Sequence, residues 1–260
     1  MSVNHQPISI TLTALSGIPL VRPGDNIVEV ILEGLSHSKL MLLEDDILVI
    51  AQKIVSKSEG RYKKISDVVP SEKAKLLAAS SGKDPRLVEL IQKESNKIVR
   101  YRKGVIVTEN RQGVVMANSG IDRSNVETDG NSEQVLLLPI NPDKSAANIR
   151  KGLHKKTNVN VAVIINDSLG RAWRNGTIGT ALGVSGLPSL LDLKGVPDLF
   201  GKPLCVTEEA IADEFSSAAS ILQGQAAEGR PIVLIRGYTS SSNSSSASSL
   251  IRKKEKDLFK

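Results

Sequence analysis

The run VAVII at positions 161–165, followed at once by Asn166, Asp167 and Ser168, constrains this chain more than any other stretch. Five apolar residues in a row are too uniformly apolar for a strand with one wet face, and they read as a strand buried on both faces. Polarity then switches: Gly170, Arg171, Arg174, Gly176 and Gly179 follow within a dozen or so residues. A strand that ends in a carboxylate, a hydroxyl, two guanidiniums and several glycines either closes in a turn or delivers charged groups and open backbone to a ligand.

The rest of the chain supplies the partners of that strand. Ile8, Ile10 and Leu12 alternate with polar residues as in a half-buried strand, and GIPLVRPGD (17–25) is a Gly/Pro-marked loop before a short amphipathic helix over 27–35. ILVIAQKIVSKSEGR (47–61) starts as a buried strand and ends polar. Ser71 suits the N-cap of a segment reaching Ala79. Asp84 and Pro85 give the N-cap and first-turn proline of a second helix, with Leu87, Leu90, Ile91 and Ile98 on one face. VIVTENRQGVVMANSGI (105–121) reads as a hairpin turning at Asn110–Gly113, VLLLPINP (135–142) as a strand, and 145–153 as a short basic helix. A long helix is expected over 206–222, started by Thr207, and GQAAEGRP (224–231) is a loop into the strand IVLIRG. Hairpins without a regular βαβ rhythm place the chain in the α+β class, with mixed, largely antiparallel sheets and flanking helices. Residues 1–237 are expected to form the body, in one or two lobes. The TSSSNSSSASS run makes 238–249 a linker with too little apolar surface to pack, and 250–260 is a basic tail.

Charge narrows the partners. A net charge of +6 favours anionic ones, whether nucleic acid, acidic lipid or small phosphorylated molecules. Three Phe, three Tyr and one Trp are a poor supply of stacking platforms, so specific nucleic-acid binding is not expected. No stretch of 18 or more apolar residues occurs, so no membrane partner is expected either. The single cysteine, Cys205, and His5, His37 and His154 fall in no zinc spacing, which fits a reducing, cytoplasmic setting.

Asp167 and Ser168 offer the oxygen ligands that a hard divalent cation takes together with phosphate and water, unless they only close a turn. Arg171 and Arg174 are candidate phosphate stabilisers beside such a metal. In NSGIDRSNVE (118–127), Asp122 and Asn125 stand three apart; they are a second carboxylate and a ligand-orienting amide, or simple caps. Lys53 and Lys57 stand four apart at a strand end, on a solvated face or at a phosphate. Neither GxxxxGK[ST] nor GxGxxG is present, so a nucleotide would be held by another arrangement. These residues alone suit a metal-dependent phosphohydrolase or phosphotransferase, or a basic nucleotide- or nucleic-acid-binding protein.

GIPLVRPGD, ILVIAQKIVSKSEGR, NSGIDRSNVE, VIINDSLGRAWRNGTIGTALGVSG with DLFGKPL, and TEEAIADEFSSAASILQGQAAEGRPIVLIRG occur in this order. Together they resemble the gamma-glutamyl ligases of deazaflavin coenzyme F-420 biosynthesis over about residues 10–237; the serine-rich run is not family-like. The resemblance implies an intertwined homodimer and a GTP-dependent, amide-forming ligase. Its substrates would be a deazaflavin phosphodiester, L-glutamate and GTP, with Mg²⁺ or Mn²⁺ and a monovalent cation. It places metal ligands at Asp122, Asp167, Ser168 and Gln225. It places nucleotide contacts at Ile18, Pro19, Leu20 and Val21, at Gln52, Lys53, Lys57 and Asn125, and along Gln223, Gly224, Gln225, Ala226, Ala227, Glu228, Gly229 and Arg230.

Overall fold

A computed structural model describes residues 7–126, 133–239 and 243–258. Along the chain these form β1 (Thr11–Ala14), α1 (Ile27–His37), β2 (Ile47–Ala51), α2 (Gln52–Ser58), β3 (Tyr62–Lys64), α3 (Glu72–Ser81) and α4 (Pro85–Lys93). Next come β4 (Ser95–Arg102), β5 (Val105–Asn110), β6 (Val115–Ala117), β7 (Gln134–Leu136), α5 (Pro142–Thr157), β8 (Ala162–Arg171) and β9 (Arg174–Ser185). The chain continues through β10 (Leu191–Asp192), β11 (Glu208–Glu209), α6 (Ile211–Gln223) and β12 (Ile232–Arg236).

The main sheet has the order β1-β12-β2-β8-β9. Only β2 and β8 pair in parallel, with Ala51 opposite Asn166; the other ladders of this sheet are antiparallel. Smaller antiparallel sheets join β3 to β7, β4 to β5 and β6, and β10 to β11. The mixed, mainly antiparallel α+β class is therefore as expected.

The apolar runs are buried on both faces because the sheet is covered on both. Leu48, Ile50, Val163, Ile165, Ile232 and Leu234 point to one side, where they pack with α1, α2 and α5 through residues such as Ile31, Val55 and Leu153. Ile47, Val49, Ala162, Ile164, Val233 and Ile235 point to the other, against Ile211, Phe215 and Ala219 of α6. Each large side chain so buried contributes roughly 1.5–3 kcal/mol. The helices come very close to β9 at two glycines. A Cβ at Gly179 would lie 2.0 Å from the Ser216 carbonyl oxygen, and one at Gly183 would lie 2.3 Å from backbone atoms of Pro142. A third core cluster joins α3, α4, β5 and β7 through Ala74, Leu87, Ile91, Ile106 and Val135.

Several local expectations hold. The Ser71 hydroxyl accepts from Ala74 N–H at 3.3 Å and the Asp84 carboxylate from Arg86 N–H at 2.8 Å, each capping its helix. The hairpin of β5 and β6 turns where expected. Others are corrected. Ile8 and Ile10 are exposed, since β1 starts only at Thr11. The polar end of the 47–61 segment, which carries Lys53 and Lys57, is helical and not a strand end: Ala51 leads directly into α2. Ile98 belongs to β4, not to the α4 face, because that segment pairs with β5. The helix expected at 145 begins at Pro142, with Asn141 capping Lys144 N–H at 3.0 Å. Asn-Pro is a start signal that the apolar run before it masked. The last long helix begins at Ile211, not at Thr207. The Thr207 carbonyl accepts from Leu193 N–H, and Glu208 and Glu209 pair with Asp192 and Leu191, so that backbone is already committed to a ladder.

The serine-rich segment also differs from the loose linker expected. Over its described part it is docked by hydroxyls and backbone, not by apolar area. Ser244 Oγ accepts from Gly186 N–H at 3.1 Å, Ser245 Oγ from Ser189 N–H at 2.8 Å, and Asp143 from Ala247 N–H at 2.8 Å. Ala247 is buried, and Leu250 packs beside it on the α6 side of the sheet.

Candidate functional site

The parallel pair sets the position of the site. The ladder of β2 with β8 ends at Ala51 and Asn166, and the next residues, Gln52 and Asp167, line a cavity of about 810 Å³. In open sheets with parallel strands, the carboxyl ends of the strands are where ligands collect. The opposite wall comes from the segment between β6 and β7, which includes Asp122 and Asn125. The rim comes from Ile18–Val21 and from the loop 223–230.

Asp122 is fixed by its backbone first: its N–H and C=O exchange hydrogen bonds with Leu136, each at 2.9 Å. Its carboxylate then accepts from Gln52 Nε2 at 2.7 Å and lies 3.3 Å from Lys53 Nζ. Gln52 is itself buried and oriented by Ser56, whose hydroxyl donates to Gln52 Oε1 at 2.8 Å. Lys53 also donates to Ser124 Oγ at 3.2 Å. Asp167 sits within β8 opposite Thr180, with its Oδ1 accepting from Ser168 N–H at 2.8 Å. The expectation that pairing stops at Asp167 is corrected: the ladder with β9 continues to Arg171.

Burial and, after it, the Asp122 charge raise the Asp167 carboxyl to about 7, against the opposing pull of the Ser168 N–H, Lys53 and Gln52. Burial also raises Asp122, while Lys53 and Gln52 pull it down. Two carboxylates raised by burial, one of them raised further by the charge of the other, form a site that gains from a cation.

The loop 223–230 is fastened to both walls. Gln223 and Asn166 exchange side-chain hydrogen bonds at 2.9 and 3.1 Å, Gln225 Nε2 donates to Ser168 Oγ at 2.8 Å, and Asn125 Nδ2 donates to the Ala226 carbonyl at 3.1 Å. Glycines at both ends carry the loop's bends, Gly224 at φ 74° and Gly229 at φ 67°.

The structure thus brings together Ile18, Pro19, Leu20, Val21, Gln52, Lys53, Lys57, Asp122, Asn125, Asp167, Ser168 and the whole loop Gln223–Arg230 around one cavity. Lys53 and Lys57 share a face because α2 is a helix; they are not at a strand end, and Lys57 is buried. Arg171 and Arg174 are not part of this lining. They face each other across the β8–β9 turn. At about 3.3 Å per residue, Arg171 is carried some 13 Å along the strand from Asp167. Gly179 serves the approach of α6, and Gly176, at φ 86°, serves the hairpin. Sequence reading missed Asn118, Ser124, Asn166 and Thr177, which also line the cavity. Asn166 had a signal, a buried amide at the end of an apolar run. Asn118 had only its place in the small-residue turn NSG.

Among the described residues no cluster of three or more His, Cys, Asp or Glu is placed to hold a metal. The all-oxygen set of Asp122, Asp167, the Ser168 hydroxyl and the Gln225 amide still fits a hard divalent ion. Such an ion is often held by one or two carboxylates while substrate phosphates and water complete the shell. Among the described residues no helix is long and apolar enough to cross a membrane.

The family model described as F420-0:Gamma-glutamyl ligase matches residues 17–237. Curated relatives cover almost the whole length. The Coenzyme F420:L-glutamate ligase of Methanococcus maripaludis (strain C7) is 48% identical over 86% of this chain and 88% of its own. The protein of that name from Methanothermobacter thermautotrophicus is 44% identical over 97% of this chain and 100% of its own, and that from Methanocaldococcus jannaschii 46% over 84% and 86%. The family model ends at residue 237, where the sequence reading ends the family likeness, while the alignment with the Methanothermobacter protein, over 97% of the chain, runs on through the serine-rich segment.

Proposed function

This chain belongs to the F420-0:gamma-glutamyl ligase family, and on that premise we propose that it joins L-glutamate to the deazaflavin coenzyme precursor at the cost of GTP. The observation that carries this reading is the meeting of Asp122, Asp167, Lys53 and Lys57 in one cavity of about 810 Å³, large enough for more than one substrate.

A carboxylate does not react with an amine at neutral pH. It must first become an electrophile: a carboxylate oxygen bonds to the gamma phosphorus of GTP, the bond from that phosphorus to the beta–gamma bridging oxygen breaks, GDP leaves with that oxygen, and an acyl phosphate results. The amine nitrogen of glutamate then bonds to the acyl carbon, phosphate leaves with the bridging oxygen, and the amine loses a proton to water. Such transfer depends on positioning and on neutralising charge more than on a covalent role for protein. Lys53 and Lys57 supply positive charge for phosphate oxygens. Gln52 holds Asp122 in place, and Asn125 with Gln225 fixes the loop over the nucleotide. A Mg²⁺ or Mn²⁺ ion held by Asp122, Asp167, Ser168 and Gln225 would neutralise phosphate charge; a monovalent cation would be a further component.

The test is a mass measurement. With precursor, glutamate and GTP, the precursor should gain glutamate residues. With ¹⁸O in the acceptor carboxylate, one label should appear in inorganic phosphate. Unlabelled phosphate with normal ligation would exclude the acyl phosphate, and phosphate release that does not depend on glutamate would favour a phosphohydrolase.

We also propose a homodimer. Leu199, Phe200 and Val206, on the arm that leaves the sheet at β10 and returns at β11, are 99%, 95% and 80% exposed. Apolar side chains that project this far are ordinarily covered by a partner. The intact chain should sediment as a dimer, and Leu199→Asp with Phe200→Asp should shift it to monomer; a wild-type monomer at micromolar concentration would dispose of the idea.

A further inference from the structure

Asn118 lines the cavity, yet its side-chain oxygen is shut off from solvent without a hydrogen-bond partner, the one buried side-chain polar atom so left among the described residues. The backbone there is also unusual: Asn118, Ser119 and Gly120 adopt successive left-handed φ values of 52°, 55° and 72°. Asparagine tolerates that region and glycine is at ease in it, but serine is not.

The conformation is held from beneath. Ser119 N–H donates to Thr108 Oγ1 and Ser119 Oγ donates to the Ile91 carbonyl, both at 3.0 Å. Gly120 has no room for a side chain, since a Cβ would lie 2.6 Å from Leu138 Cδ1 and 2.8 Å from Met116 Cε. The fold thus fixes Asn118 at the cavity wall and leaves its amide oxygen unpaired. An unpaired buried acceptor weakens the folded state, and such groups in native proteins call for a functional account.

Resting on the ligase reading above, we propose that Asn118 is a substrate-positioning residue: its amide Nδ2–H donates to an oxygen of the carboxyl group being activated for ligation. With Oδ1 turned inward, Nδ2 is the half of the amide left to the cavity. Its place agrees with this. Asp122 lies four residues on, and the Met116 and Leu138 side chains that clasp Gly120 pack with Leu169, the neighbour of Ser168. Asn118 therefore lines the cavity on the same wall segment that carries Asp122. The lysines supply full charge for phosphates. A neutral donor suits an oxygen that is carbonyl-like in the acyl phosphate, takes the C=O electron pair when the amine bonds to carbon, and returns it as phosphate leaves.

Two variants of the full chain test this. Asn118→Gly accepts the left-handed φ and removes the unpaired oxygen. It should lower kcat about 100-fold, as loss of one such donor does, with KM for GTP and affinity for Mn²⁺ within about 3-fold and Tm unchanged or raised. Asn118→Asp keeps the shape and the left-handed preference but replaces the donor with an acceptor, and kcat should fall at least as far. A kcat within about 3-fold of wild type in either variant would overturn the proposal. So would Asn118→Gly protein that loses Tm and Mn²⁺ affinity along with kcat, because a purely structural turn behaves that way. The wild-type control separates the two readings: no ligation by wild type would overturn the ligase reading itself, and this proposal with it.

Discussion

Asp167→Asn is expected to lower ligation at least ~100-fold while leaving a folded protein, because a neutral amide cannot replace the charge of a carboxylate at a cation. The substitution is nearly isosteric, and Asp167 sits within a ladder whose hydrogen bonds are made by backbone. The same variant should change the pH dependence of stability. Burial and Asp122 hold the Asp167 carboxyl at about 7, above its ordinary 3.8. Metal-free folded protein therefore keeps a proton there that the unfolded chain has already released. Stability should fall as pH rises from about 4 to about 7 and level off above that. Asparagine should flatten most of that slope, and Mg²⁺ should restore stability at pH 8 to wild type but not to the variant. Urea unfolding at pH 5 and pH 8, with and without Mg²⁺, checks this together with turnover. Wild-type turnover in the variant would remove Asp167 from the site.

Gly179→Val should cost at least ~3 kcal/mol of stability, at the upper end of what overpacking does, because the clash is with helix backbone and not with a side chain that can rotate away. A Cβ at 179 would meet the Ser216 oxygen at 2.0 Å, its carbon at 2.5 Å and the Ser217 nitrogen at 3.0 Å. Ser217 Oγ also donates to the Gly179 carbonyl at 2.8 Å, a bond lost if α6 lifts. In a domain of this size the loss corresponds to a fall in Tm of roughly 6–12 °C, read by calorimetry on metal-free protein. Activity should fall with it, since α6 ends at Gln223, which holds the start of the 223–230 loop to Asn166. A Tm within about 2 °C of wild type would mean that the helix stands farther from β9 than described.

How legible the molecule was in sequence varied with the range of the interactions. VAVII, ILVIA and IVLI announced buried strands because nothing else accommodates short, wholly apolar runs, and Ser71 and Asp84 announced helix starts because capping is local. Asp122, Asp167 and the 223–230 loop became a site only through the order of their motifs; neither acidic residue has a spacing that demands a metal. The misses were set by distant partners. The backbone of β11 is taken by the ladder with β10, which delays α6, and β4 looked like a continuation of α4 until β5 paired with it. Arg171 and Arg174 are close to Asp167 in sequence, but an extended strand separates neighbours faster than a helix does. Asn118 could not have been found from composition, because its significance is a missing hydrogen bond. The serine tail misled because hydroxyls and amides, not apolar area, hold it down.

The parallel ladder of β2 and β8 works as a ruler. Ala51 faces Asn166 across it, so the next residue on each chain, Gln52 and Asp167, emerges at a separation set by backbone hydrogen bonds alone. Side chains alternate faces along a strand, so one residue added to either strand would turn Asp167 toward the opposite layer, or displace it from Gln52 by a full step. Residues added to the arm between β10 and β11, or removed from the loops around the hairpins, leave this spacing untouched, whereas one gained or lost inside either strand breaks it.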